Sequence, residues 1–371
     1  MHNICVTDLK RVKITRSAHH CLMVMTAFFM HWSSPLCQTS AALGTEIGKI
    51  ISHDTELSKY QIPGFIIGIL DGDSTYVLAF GTREIGTHEV LSSHDIFELG
   101  SLTKVMTADI ILQLNEKGFL DVYAPLNLYL PVAYQNPSVQ ASLMDVLTHR
   151  SGLPKIPETL GGTQIDMNSP YAGFTHKDLL SWYSHVRPHI SGELRYSHAG
   201  YALLELVIEQ VTGDSFERAF DKYITNTYAI PGTRVDDMLH VCPGYDLTGR
   251  GAHPWEFNSF RGSEGARSNL LDLMKYMRVL INTEETMLMW TTYHRTGDKK
   301  LFAAPGWYRF LPKKDFPVYV HTGRTSGHSS MFAFSRNTKT GVIVLSNSSA
   351  GTDDLGLLIL RMINRQWRRK T

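Results

Sequence analysis

Cysteine is scarce in this chain, four residues in 371, and that excludes a disulfide-built scaffold. Neither sign of charge dominates: 36 Lys and Arg stand against 35 Asp and Glu, a formal charge of +1. The global basic footprint of a nucleic-acid-binding protein is therefore missing. No H-E-x-x-H or C-x-x-C occurs, so a metal centre has no support. No G-x-S-x-G elbow occurs, which argues against an α/β-hydrolase. No G-x-G-x-x-G or Walker sequence points to a nucleotide. Internal repeats and low-complexity linkers are also missing. The remaining composition, 43% hydrophobic and 19% charged, excludes a disordered, collagen-like or coiled-coil chain. At 371 residues the chain exceeds the usual single-core size, which favours a two-part architecture.

What is present begins with a leader-like N-terminus. Lys10, Arg11, Lys13 and Arg16 precede an apolar run from Cys21 to Trp32, and small residues follow through Ser40 and Ala41. A charged region, a short apolar core and a small-residue zone have the organisation of a secretory signal. The run is shorter than the roughly 20 residues of a spanning helix. An uncleaved anchor or a buried helix is the alternative, and a start at Met23 or Met25 would shorten the charged region. Residues 1–40 are thus expected to be a signal peptide or anchor, with an exported protein, periplasmic or secreted, or membrane-anchored through this segment. Cys37 follows Ser34-Pro35-Leu36, a poor lipoprotein site. Without residues 1–40 the chain carries 32 basic and 34 acidic residues and one cysteine, Cys242.

Periodicity places elements along the rest. Gly64–Asp71 and Thr75–Phe80 are apolar and β-branched around the turn residues Asp71-Gly72-Asp73, which predicts a hairpin. Thr103–Lys117 has helical spacing and stops at Gly118; Ala199–Val211 repeats the pattern and stops at Gly213. Ser268–Ile281 predicts a third helix. Val318–His321, Ser329–Ser335 and Gly341–Ser346 predict antiparallel strands, and Leu355–Asn364 a closing helix. Strands at both ends and helices between imply an α+β fold, with one sheet assembled from N- and C-terminal parts around a helical insertion. The boundaries are 41–367 for the domain, its sheet parts about 41–100 and 265–367, its helical part about 101–264.

The chemistry starts at Ser101. In Gly100-Ser101-Leu102-Thr103-Lys104 the serine sits at a predicted helix start, and Lys104 follows one turn later on the same face. A serine hydroxyl needs a base, a desolvated lysine can lose its proton, and a helix start aims N–H groups at developing negative charge. Two further segments follow: Arg195-Tyr196-Ser197-His198 before a helix, and Val320-His321-Thr322-Gly323-Arg324 on a strand.

The ordered set S-x-x-K, Y-S-x, H-T-G resembles the serine β-lactamase and penicillin-binding protein superfamily. It is nearer the branch of AmpC-type β-lactamases, D-alanyl-D-alanine carboxypeptidases and related esterases. Leu147-Thr148-His149-Arg150-Ser151-Gly152-Leu153-Pro154 and Gly265-Ala266-Arg267-Ser268 agree with it. The resemblance implies a β-lactamase/transpeptidase-like fold and an acyl-enzyme at Ser101. It implies that Lys104 and Tyr196 share the proton traffic, with nearby cations lowering the Tyr196 phenol from its free value near 10. His321 would polarise this network from the strand. The backbone N–H groups of Ser101 and Arg324 would form the oxyanion hole, and Thr322 and Gly323 would bind substrate.

Two departures stand out. The third position of the tyrosine motif, commonly Asn in the superfamily, is His198, which would contact substrate with different reach and a pH-dependent charge. Arg324 stands where a small residue is commoner, and its side chain could bind a carboxylate, as could Arg309. His149 reads as a turn buttress, Cys242 as a small apolar residue, and Tyr123, Tyr129, Trp182 and Trp290 as packing. The expected function is a serine hydrolase acting on a peptide, amide or ester, as D-Ala-D-Ala-type peptidase, esterase or β-lactamase. Its partners would be small-molecule or peptide substrates, including peptidoglycan or a β-lactam, with no nucleic acid, no metal and no organic cofactor. The alternative is a non-catalytic cell-wall binding or interaction protein on the same fold.

Overall fold

The computed structural model describes residues 37–53, 62–158, 160, 169–189, 193–235, 240–284, 287–313 and 316–367. The leader-like pattern through residue 36 lies outside the described residues, and helix α1 (Cys37–His53) begins where the small-residue zone was placed. None of the helices among the described residues is long and apolar enough to cross a membrane.

The predicted hairpin is β1 (Gly64–Asp71) and β2 (Ser74–Gly81). Its β1 strand pairs antiparallel with the last strand of the chain, placing Ile67 opposite Val344. The two ends of the sequence therefore share one sheet. Short β3 (Phe97–Glu98) lies apart from it, paired with β4 (Arg267–Ser268). Then come helices α2 (Thr103–Glu116), α3 (His198–Thr212), four-residue α4 (Arg261–Glu264) and α5 (Leu270–Asn282). The C-terminal part supplies β5 (His294–Arg295), β6 (Leu301–Ala304), β7 (Trp307–Lys313), β8 (Phe316–Arg324), β9 (Ser329–Ser335) and β10 (Thr340–Ser346), and ends in α6 (Asp353–Trp367). The sheet order is β2-β1-β10-β9-β8-β7-β6-β5. This is the expected α+β, β-lactamase/transpeptidase-like arrangement of an antiparallel sheet with flanking helices.

Alternation along the strands feeds two cores. One face of the sheet packs Ile67, Ile69, Met331 and Val344 with Leu355 and Ile359 of α6 and Ile47 of α1. The other packs Ile66, Phe332, Phe334 and Ile343 with the helices, including Met106, Tyr276 and Met277. Strands β6 and β7 were not anticipated: Leu301–Ala304 is short, and Trp307–Lys313 carries Arg309, Pro312 and Lys313, so neither alternates cleanly. Trp182 and Trp290 are buried, as packing residues are, but Tyr123 is 60% exposed and does not pack.

Candidate active site

Ser101 enters the structure through a single 3-10 turn, Gly100–Leu102, that leads straight into α2. The turn is pinned by Thr103, whose Oγ1 donates to the Gly100 carbonyl at 2.7 Å. It is also pressed against the end of β8. A Cβ on Gly323 would stand 1.9 Å from the Leu99 carbonyl oxygen and 2.9 Å from the Ser101 nitrogen. A Cβ on Gly100, at φ +52°, would stand 2.7 Å from both the nitrogen and the carbonyl oxygen of Arg324. Glycine is required on both sides so that the Ser101 and Arg324 backbones can adjoin. That junction is where the two expected oxyanion donors meet.

Lys104 is wholly buried. Its ammonium has four polar neighbours: Glu264 Oε1 at 2.6 Å, Ser101 Oγ at 3.0 Å, the Ser263 carbonyl at 3.0 Å and, farther off, His198 Nδ1 at 3.3 Å. Its ring neighbours are Tyr196 and Tyr201, with centroids 5.2 and 5.8 Å from Nζ. Burial pulls the ammonium down from its ordinary value and Glu264 offsets part of the fall.

Glu264 is the residue that the sequence reading missed. Ser101 Oγ donates to both its oxygens, at 2.9 and 3.0 Å. Ser263 Oγ lies 3.1 Å from Oε1, and His198 Nδ1 makes a very short contact with the same oxygen. Burial alone would push the carboxyl up, but Lys104 and then His198 outweigh it and hold it far below the usual carboxylate range. The available signal was positional. Glu264 immediately precedes the Gly265-Ala266-Arg267-Ser268 stretch, and a buried lysine in an otherwise neutral pocket needs a counter-charge.

The short helix that delivers Glu264 is heavily anchored. Phe260, which opens it, has φ +67°, a left-handed conformation unusual for a bulky side chain. Its ring stacks on Tyr171 at 4.6 Å. The Gly262 N–H donates to Glu205 Oε2 at 2.9 Å, and Thr107 Oγ1 donates to the Gly262 carbonyl at 2.6 Å.

Tyr196 and His198 reach the site from the start of α3. Ser197 is the N-cap, accepting from the Gly200 N–H at 2.9 Å and donating to the Pro154 carbonyl at 2.7 Å. His149, buried and at φ +57°, accepts the Ser197 N–H at 3.2 Å and lays its ring 4.3 Å from that of Tyr196. The His149 turn thus holds the tyrosine motif in place. His198 is pushed down, by burial first and by Lys104 next. The three nearer acceptors take the Lys104 protons, so His198 Nδ1, 3.3 Å from that ammonium, is assigned the N–H and donates to Glu264.

The expected lowering of the Tyr196 phenol is overturned. Burial pushes it well above the ordinary value, the Glu264 charge adds to the rise, and a hydrogen bond with Ser101 only partly opposes them. The nearby cation is neutralised by its own carboxylate, so Tyr196 is a neutral phenol.

His321 stands on β8 with its Nδ1 2.8 Å from the Thr322 carbonyl. Its ring lies 6.0 Å from that of Tyr308 and 6.4 Å from that of Tyr196. Burial, then Lys104, depresses it to about 3, and its buried Nε2 has no hydrogen-bond partner among the described residues. Thr322 pairs with Met331 in the ladder, so its side chain lies on the α6 face of the sheet. The Arg324 guanidinium turns the same way and pairs with Asp353 at 2.9 Å. Arg309 stacks on Tyr293, 4.2 Å from the ring centroid. The structure therefore brings Ser101, Lys104, Tyr196, His198, His321, Gly323 and the Arg324 backbone together, while the Arg309 and Arg324 side chains are engaged elsewhere. Among the described residues no group of three His, Cys, Asp or Glu side chains is arranged to hold a metal.

A family model described as Beta-lactamase matches residues 47–362. D-alanyl-D-alanine-carboxypeptidase/endopeptidase AmpH of Escherichia coli (strain K12) is 21% identical, over 79% of this chain and 83% of its own length. Unguisins hydrolase ungD of Aspergillus violaceofuscus is 22% identical over the same share of this chain, which spans 59% of that relative's length. Among solved structures, a beta-lactamase from Sulfitobacter sp. EE-36 superposes with a TM-score of 0.73 at 19% identity, covering 91% of this chain and all of its own. That similarity concerns the fold.

Proposed function

This chain belongs to the beta-lactamase family of serine hydrolases, and from that premise we propose that Ser101 attacks a carbonyl and forms an acyl-enzyme on a peptide, amide or ester. The observation that carries this reading is the placement of Ser101 Oγ. It accepts a hydrogen bond from the Lys104 ammonium at 3.0 Å and donates one to a buried carboxylate at 2.9 Å. A hydroxyl held between a cation and an anion is polarised for attack. The oxygen of the attacked carbonyl would enter the junction of the Ser101 and Arg324 N–H groups, donors worth roughly 3 kcal/mol each in a tetrahedral transition state. Tyr196, neutral and beside Ser101, suits the carrying of a proton to the leaving group.

The substrate class we favour is a D-Ala-D-Ala-type peptide or a related ester, ahead of a β-lactam. AmpH, by its name, acts on D-alanyl-D-alanine peptides, and this chain shares the H-T-G pattern of the peptidase branch. A non-catalytic cell-wall binding protein on this fold would need no nucleophile between opposite charges. We extend the proposal to export on the leader-like pattern of residues 1–40, which N-terminal sequencing of the native protein tests.

The test of the enzymatic reading is intact mass after exposure to a fluorophosphonate and, separately, to penicillin, with Ser101→Ala alongside. An adduct lost in the variant supports the acyl-enzyme. An adduct that survives Ser101→Ala, or none with either reagent, sinks it. Penicillin consumption in the same tube separates a β-lactamase from a peptidase or esterase.

A further inference from the structure

Nothing in the sequence motifs gives Glu264 a task, yet it is the group to which Ser101 donates. We propose that Glu264, rather than Lys104, takes the Ser101 proton during attack, while Lys104 remains a fixed ammonium beside the reacting oxygen. The inference rests on Ser101 being the nucleophile.

The geometry distinguishes the two bases. An ammonium has three protons and no lone pair. All three of the Lys104 protons have acceptors, one of them Ser101 Oγ itself. Lys104 therefore faces Ser101 as a donor. The one anionic acceptor within hydrogen-bond distance of the hydroxyl is the Glu264 carboxylate. The two carboxylate oxygens are not equivalent. Oε1 is crowded by Lys104, His198 and Ser263. Oε2, among the described residues, has Ser101 as its only donor. That is the open lone pair. Tyr196, a neutral phenol, offers no anionic base in its place, and the His321 Nε2 lone pair makes no hydrogen bond to Ser101 among the described residues.

The left-handed turn at Phe260, its stack on Tyr171 and the anchoring of Gly262 to Glu205 and Thr107 all fix this carboxylate against Ser101. A counter-ion to Lys104 alone would not need to stand with both oxygens within hydrogen-bond distance of Ser101 Oγ. Pairing with Lys104 weakens the carboxylate as a base. The same pairing keeps it ionised, and it acts on a hydroxyl that Lys104 already polarises.

The Ser101 O–H bond breaks and its proton moves to Oε2 as the Oγ–C bond forms, and the carbonyl electron pair moves to the oxyanion. On collapse the bond to the leaving nitrogen or oxygen breaks. The leaving group takes the proton from Glu264, with the Tyr196 hydroxyl as a neutral relay, and Glu264 returns to a carboxylate. Water repeats the sequence to release the acyl group.

The experiment is the rate of fluorophosphonate labelling of the full chain, wild type against Glu264→Gln and Glu264→Asp, with thermal unfolding of each. Glu264→Gln is nearly isosteric and removes the base, so labelling should slow at least about 100-fold, the scale of a general base. If Lys104 is the base, the same change removes the charge that keeps it protonated. Labelling then holds or quickens, which would overturn the proposal. Glu264→Asp keeps the Lys104 pair but draws the carboxylate back by one methylene. It covers the case in which Glu264→Gln does not fold. Labelling slowed tenfold or more supports the base role, and a rate within twofold of wild type overturns it. No adduct on wild type defeats the nucleophile assignment itself, and the inference with it. An adduct that Glu264→Gln forms at full rate defeats this inference alone.

Discussion

Glu98 and His328 meet in the protein interior as a charged pair, the imidazole Nδ1 3.3 Å from the carboxylate Oε2. The same carboxylate accepts from Thr325 Oγ1 at 2.8 Å and from the Trp255 N–H at 2.6 Å. The second ring nitrogen of His328 lies 3.1 Å from the Cys242 carbonyl. Both ring nitrogens therefore donate. Burial works against the charge, but the hydrogen bonds of the Cys242 side chain, its Sγ 3.7 Å from Nε2, and of Glu98 outweigh it and raise His328 to about 10. Glu98 is three residues before the proposed nucleophile, and Thr325 directly follows Arg324, the second proposed oxyanion donor. The pair thus spans the two segments whose N–H groups would have to converge on one oxygen.

Glu98→Gln is the sharper of the two ways to break this pair. It leaves an imidazolium buried with a neutral neighbour, and breaking a buried pair from one side costs about 3–5 kcal/mol. Urea denaturation should show a loss of that size. The double variant Glu98→Gln with His328→Gln should recover a clear part of it, since the two residues couple directly. Strict additivity would mean that the pair does not act as a unit.

Opposite pH limbs follow from two histidines in one protein. His328, raised from 6.5 to about 10, contributes stability that is fully present below about 6.5. That stability is lost as pH rises through 10. At about 1.4 kcal/mol per unit the gap is worth several kcal/mol. His321, depressed from 6.5 to about 3, does the reverse. The unfolded chain binds its proton more readily, so stability falls as pH drops from 6.5 towards 3. His149 and His198 are lowered too and share that acid limb. Urea midpoints measured against pH should show a shallower alkaline limb in His328→Gln and a shallower acid limb in His321→Gln. Unchanged slopes would refute the assigned charge states.

Gly323→Ala tests the junction itself. The added methyl would lie 1.9 Å from the Leu99 carbonyl oxygen, a backbone atom that no rotamer can move. The strand must retreat from the Ser101 turn, and the two oxyanion donors move apart. We expect fluorophosphonate labelling to fall by about 100-fold, the scale of losing one donor, with a stability loss of about 1–3 kcal/mol from overpacking. A full labelling rate with the stability loss alone would place the oxyanion hole elsewhere.

Local pattern carried most of the fold. The β1–β2 hairpin, α2 with Gly118 after it, and α3 with Gly213 after it are each written in a few neighbouring residues. Ser101, Lys104, Tyr196 and His321 were legible for the same reason, as short motifs in a fixed order. The unread parts depend on distance in the chain. Glu264 is an ordinary glutamate until folding brings it across 160 residues to Lys104. The rise of the Tyr196 phenol has the same origin: its burial first, and then that carboxylate, are products of the tertiary fold. Strands β6 and β7 lack clean alternation because their neighbours, not their own residues, decide which side is buried.

His198 offers the last test, because its motif position differs from the common one. It is one of four donors to Glu264 Oε1, and Lys104 outranks it in holding the carboxylate ionised. Asparagine can also give a neutral N–H to that oxygen, though from a shorter side chain. His198→Asn should therefore slow labelling by no more than about tenfold, the worth of one weakened charge-assisted hydrogen bond. Tyr196→Phe removes the hydroxyl beside Ser101 and should cost at least ten times more in turnover of an ester with a poor leaving group, while a good leaving group narrows the gap. That dependence on the leaving group is what a relay predicts and a purely structural phenol does not. If His198→Asn instead matches Tyr196→Phe across both esters, the imidazole acts on the travelling proton itself.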